Sequence, residues 1–124
     1  MKRPVKISES EWEIMNLVWK KSPIAAGEIV EELAPKNDWA PRTIRTLLSR
    51  LVNKGALKFE QEGKRYLYEP KVTMEECVHH ESRSFIERVF GGAPASMLIN
   101  LVKQTEFSPE EIKELKKILA GKER

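Results

Sequence analysis

The chain has 124 residues, 40% hydrophobic and 33% charged, with a formal net charge of +3. This is an ordinary soluble composition, with room for one compact domain or for a small domain plus an extension. Its one cysteine, Cys77, can form no internal disulfide, and no more than three apolar residues run consecutively. Neither a secretion signal nor a membrane span is therefore expected, and the location is read as cytoplasmic.

The charge is uneven. Residues 1–72 carry 14 Lys and Arg against 10 Asp and Glu, a net of +4, whereas residues 73–124 carry 8 against 9, a net of −1. Within residues 42–65 the balance is 7 to 2. A basic stretch of this kind points to an anionic polymer as partner more clearly than the modest overall charge does.

In chain order, Ser8 with Glu11 has the spacing of a capping box, and Trp12, Met15, Val18 and Trp19 give the first helix a buried stripe. Pro23 ends that helix. Ile29, Val30 and Leu33 support a short second helix, which Pro35 is expected to close, and a polar turn through Asn37 and Asp38 follows. The two tryptophans, at helical spacing, are read as core residues.

Pro41 suits the first position of a third helix and Gly55 its end, because Pro lacks an N–H that would have no partner there and Gly accepts the positive φ of a helix stop. Ile44, Leu47, Leu48, Leu51 and Val52 recur at i, i+3, i+4, i+7 and i+8, so one stripe is buried. At about 100° per residue the opposite face falls to Arg42, Thr46, Ser49, Arg50 and Asn53, flanked by Thr43 and Arg45. Residues 41–55 contain no Asp or Glu. Arginine can bind guanine in bidentate fashion, threonine can bond to bases or touch the thymine methyl, and all of these donors can hold phosphate.

Leu57 to Gln61 and Tyr66 to Tyr68 read as two strands joined by a turn at Glu62-Gly63-Lys64, which sets Lys64 and Arg65 at a hairpin tip. Three helices and a basic hairpin make a winged helix-turn-helix, spanning 1–72. Beyond Pro70 the pattern becomes helical. Thr73 with Glu76 opens a long helix ending near Gly91-Gly92, a shorter one follows Pro94, and Ser108 with Glu111 opens the last. Three short helices enclose little core alone, so 73–124 is read as a dimerisation domain whose apolar faces pair with a second copy. The fold class is thus mainly α with a small β hairpin: a DNA-binding winged helix plus a helical dimerisation domain. A two-fold dimer would read a palindrome in double-stranded DNA, with α-helices in successive major grooves.

Taken together, Ile7 to Met15, Pro41-Arg42-Thr43-Ile44-Arg45-Thr46-Leu47-Leu48, Lys54-Gly55-Ala56-Leu57 and Glu62-Gly63-Lys64-Arg65-Tyr66 resemble the BlaI/MecI penicillinase repressors, a family that includes the copper-responsive CopY repressors. The resemblance spans nearly the whole chain. It implies a homodimeric repressor of a resistance or stress-response operon, with Arg42, Thr43 and Thr46 on base edges, Arg45 close by, and Arg50, Lys64 and Arg65 on the phosphate backbone. Where the family often has Ser before the proline, this chain has Ala40, forgoing about 1 kcal/mol of helix capping.

In penicillinase repressors the inducing step is proteolysis at an Asn-Phe bond. The matching bond here is Asn100-Leu101, with leucine in place of phenylalanine, and a regulatory protease is the partner implied. The same segment also reads as an ordinary amphipathic helix. Copper-responsive relatives end in paired Cys-x-Cys motifs, absent from Ala120-Gly121-Lys122-Glu123-Arg124, so that sensing mode is not expected.

Other readings stay open on the residues. Cys77 and His80 are i, i+3 neighbours and Glu76 and His80 are i, i+4 neighbours, which would suit a metal-responsive repressor. The winged helix would also serve as a protein-interaction module for an acidic partner. An enzyme is not expected: there is no phosphate-binding glycine loop or nucleophile elbow, and the two histidines, His79 and His80, point to different helix faces. No cofactor is expected.

Overall fold

The computed structural model describes residues 5–123. Six helices and three strands follow one another as α1 (Glu9–Lys21), β1 (Ile24–Ala25), α2 (Ala26–Asn37), α3 (Pro41–Lys54), β2 (Leu57–Glu62), β3 (Arg65–Pro70), α4 (Met74–Phe90), α5 (Pro94–Gln104) and α6 (Pro109–Gly121). The chain forms two compact units, Met1–Ser84 and Phe85–Arg124. The division falls inside α4, beyond the change of character at residue 72, because Cys77 in the first turn of α4 belongs to the N-terminal core.

The N-terminal core is built mainly from apolar side chains. Ile14 and Met15 from α1, Ile29 from α2 and Ile44, Leu48 and Leu51 from α3 are all buried, with Ile24 and Leu57 closing it from the sheet. Trp12 and Trp19 are half-buried against this core, 5.9 Å apart. Trp19 also donates its indole N–H to the Val72 carbonyl at 3.0 Å, tying α1 to the segment that leads into α4. All three capping boxes form: Ser8 with Glu11, Thr73 with Glu76 and Ser108 with Glu111.

Pro35 does not close α2. It lies inside the helix, which runs on through Lys36 to Asn37. A proline in the last turn removes one N–H but leaves the following residues free to bond backwards. Here the Asn37 side-chain amide donates to the Leu33 carbonyl, and the N–H groups of Asp38 and Trp39 both reach the Ala34 carbonyl. Asp38, at φ 55°, makes the turn itself.

The sheet has the order β1-β3-β2, all antiparallel. Its first strand is an addition to the expected hairpin: Ile24 pairs with Tyr68 and Ala25 with Leu67. The hairpin itself turns on Gly63 and Lys64, with positive φ at Gly63 (65°) and not at Lys64, the pattern of a type II′ turn whose twist matches its strands.

The C-terminal unit is different in kind. Neither α5 nor α6 buries a single residue, and Leu98, Ile99, Leu101, Val102, Ile112, Ile118 and Leu119 are all exposed. An apolar groove of about 330 Å³ runs between Leu98 and Val102 on α5 and Ile112, Leu115 and Leu119 on α6.

Candidate nucleic-acid interface

The interface is built on α3. Its buried stripe is Ile44, Leu47, Leu48 and Leu51, with Val52 half-buried beside them. That burial fixes which way the rest of the helix points. Arg42, Thr43, Arg45, Thr46, Ser49, Arg50 and Asn53 are all exposed. Ala40 sits at the N-cap with no side-chain hydrogen bond, as its methyl group dictates, and Pro41 opens the helix. The end is set by Gly55 at φ 86°, whose N–H reaches the Leu51 and Val52 carbonyls.

At the hairpin, Lys64 occupies the turn and Arg65 the first position of β3, and both are exposed. Behind the tip an aromatic cluster stiffens the strands: Phe59 packs edge-on to Tyr66 at 5.1 Å and lies 5.7 Å from Tyr68. Burial raises the Tyr68 phenol above its usual range, with the neighbouring Tyr66 adding to the effect, so it stays protonated and neutral at physiological pH.

Several cations of the N-terminal unit are taken up in ion pairs: Lys21 with Glu32, Lys36 with Glu13 and Lys54 with Glu11. None involves Arg42, Arg45, Arg50, Lys64 or Arg65. Unpaired guanidinium and ammonium groups on one unit are available to an external anion without first breaking an internal contact. Lys54 differs from the other cations of α3, since its ammonium turns inward to Glu11 and to the Lys6 carbonyl.

The structure does not bring Cys77, His80 and Glu76 together as a ligand set. Cys77 is buried among apolar side chains, and burial, reinforced by Glu76, raises its thiol above the usual range and disfavours the thiolate that metals need. Glu76 is exposed and its carboxylate accepts from the Thr73 N–H and hydroxyl. Among the described residues no group of three or more His, Cys, Asp or Glu is placed to hold a metal ion. Asn100 and Leu101 are both exposed, in the second half of α5.

A helix whose outer face is wholly uncharged or cationic, followed by a stiffened hairpin with a basic tip, belongs to the winged-helix class of DNA-binding transcriptional regulators. Residues 7–121 match the family model described as penicillinase repressor. The penicillinase repressor of Bacillus licheniformis is 39% identical over 119 residues, covering 96% of this chain and 93% of that protein. The methicillin resistance regulatory protein MecI of Staphylococcus aureus (strain N315) is 38% identical over 116 residues, 94% of each chain. The solution structure of the Bacillus licheniformis BlaI monomeric form in complex with the blaP half-operator matches with a TM-score of 0.54 at 39% identity, over 61% of this chain and 93% of that one. The chain belongs to the penicillinase repressor family, whose members are transcriptional repressors and not enzymes. Among the described residues, no helix is long and apolar enough to cross a membrane.

Proposed function

We propose that the protein is a cytoplasmic, homodimeric repressor that binds a palindromic operator with α3 in the major groove and controls a resistance or stress-response operon. Arg42, Thr43 and Thr46 contact base edges with Arg45 beside them, while Arg50, Lys64 and Arg65 hold the phosphodiester backbone. The observation that carries this reading is the exposed, acid-free face of α3, formed by residue types that read bases. It is supported by the BlaI relative, a single protomer of which occupies a half-operator. One recognition helix covers only a few base pairs, so a second copy is needed for a full site. The uncovered apolar faces of α5 and α6 supply the means, since burying them in a two-fold interface removes them from water. Cleavage at Asn100-Leu101, or another signal, would detach α6 from α5, dismantle that interface and release the DNA.

Fluorescence anisotropy on a duplex from the gene's own upstream region, against a scrambled duplex at two salt concentrations, tests the assignment. Tighter binding to the native duplex at two protomers per site is expected. Arg42→Ala should weaken specific binding by about 1 to 3 kcal/mol. Lys64→Ala should weaken binding to both duplexes and flatten the salt dependence. Equal, salt-labile binding of the unaltered protein to both duplexes would leave only a basic surface and defeat the proposal.

A further inference from the structure

Lys54 is the last residue of α3 and one of the cations that give residues 42–65 their positive balance, yet its ammonium is committed elsewhere. It pairs with the Glu11 carboxylate and donates to the Lys6 carbonyl at 2.9 Å. Glu11 is the buried charged residue of the core, 1% exposed, and the oxygen that meets Lys54 also accepts the Ser8 N–H at 2.8 Å. Its other oxygen has no hydrogen-bond partner among the described residues. The carboxylate therefore depends on Lys54 for its neutralisation, and a single oxygen joins the first turn of α1 to the last turn of α3.

This join supplies something the apolar stripe does not. The buried stripe fixes which face of α3 turns inward, but its non-directional dispersion contacts define the last few degrees of roll less sharply than a directional bond does. A charged hydrogen bond at one end fixes roll and depth together. The consequence at the outer face is geometric: a roll of about 20° moves a side-chain tip, about 5 to 6 Å from the helix axis, by about 2 Å. That displacement exceeds the tolerance of a bidentate base contact but not that of a loose phosphate contact.

Resting on the reading of α3 as the DNA-reading helix, we propose that Lys54 with Glu11 forms a positioning pair that sets base selectivity, and that Lys54 makes no phosphate contact of its own. The test compares unaltered protein with Lys54→Met, Lys54→Arg, the double variant Glu11→Gln/Lys54→Met, and Lys64→Ala as a phosphate-contact control. Each is titrated on the upstream duplex and on the scrambled duplex across a salt series, at a temperature where circular dichroism shows every variant folded. The double variant leaves no unpaired buried charge, so it keeps the fold while lacking the pin.

Lys54→Met and the double variant should lose roughly tenfold in the ratio of upstream to scrambled binding, about one base contact's worth of discrimination, with the salt slope unchanged. Lys54→Arg should restore the ratio, because the charge and donors return. A salt slope lowered by about one in Lys54→Met, as in Lys64→Ala, would make Lys54 a phosphate ligand and overturn the proposal. An unchanged ratio in both methionine variants would overturn it too, since a pair that only stabilises the fold lowers binding to the two duplexes alike. If the unaltered protein itself fails to distinguish the duplexes, the DNA-reading assignment falls and takes the selectivity role with it, an outcome visible before any variant is compared.

Discussion

The two compact units use similar sequence material to opposite ends. In the N-terminal unit α1, α2 and α3 turn their stripes toward one another and bury them almost completely, so the outer faces are free to be polar and charged. In the C-terminal unit α5 and α6 are as amphipathic as their predecessors but bury nothing, and their isoleucines and leucines stand about half exposed. Amphipathicity alone thus says that a helix has a face to cover, not what covers it. The N-terminal unit completes its own core, whereas the C-terminal unit presents an apolar surface of the kind that self-association removes from water.

The contrast can be broken most forcefully at Leu51, which is wholly buried where α3 meets the core. Leu51→Ala should cost about 2 to 5 kcal/mol of folding stability, read by urea denaturation; a loss below about 1 kcal/mol would mean that the core is looser than its burial implies. A smaller effect is expected from acid. Burial pushes the Glu11 carboxyl up, but the hydrogen bonds from Lys54 and Ser8 outweigh it and hold the group below the usual carboxylate range. A carboxyl depressed in the folded state contributes stability that is present above its unfolded pKa, about 4.3, and is lost as pH falls through the folded value. Denaturation midpoints should therefore drop below about pH 4, and less steeply in Glu11→Gln.

Ala40→Ser should add about 1 kcal/mol by giving α3 the side-chain cap it lacks, visible as a raised melting temperature. The smallest change in folding stability, within about 0.5 kcal/mol for the N-terminal unit, is expected from Ile118→Asp, a surface position in the single chain. That substitution should nevertheless shift the sedimenting species from dimer to monomer. A dimer that survives it would place the covering contact elsewhere.

Much of this was legible in the sequence where the signal is local. Ser8 and Glu11 announce the start of α1 because a capping box is closed within four residues, and Pro41 with Gly55 brackets α3. The exposed face of α3 follows from its apolar rhythm alone, which is why Arg42, Thr43, Arg45, Thr46 and Arg50 stand where periodicity put them. What escaped depends on distant partners. Ile24 and Ala25 are a strand only because Tyr68 and Leu67 lie beside them. Pro35 stays helical because Asn37, Asp38 and Trp39 satisfy the carbonyls of Leu33 and Ala34 around it. In the sequence Lys54 is only one more cation of the basic stretch 42–65, and nothing near it reveals a partner 43 residues away.

The burial of Cys77 makes this protein its own stopwatch. With one thiol in the chain and that thiol packed in the N-terminal core, a disulfide reagent in solution can react only when the core opens or the first turns of α4 lift away. The labelling rate at increasing reagent concentration then separates the frequency of opening from its equilibrium population. No dye or tag is required. Repeating the measurement with DNA bound would show whether occupying the outer face of α3 slows the breathing of the core behind it.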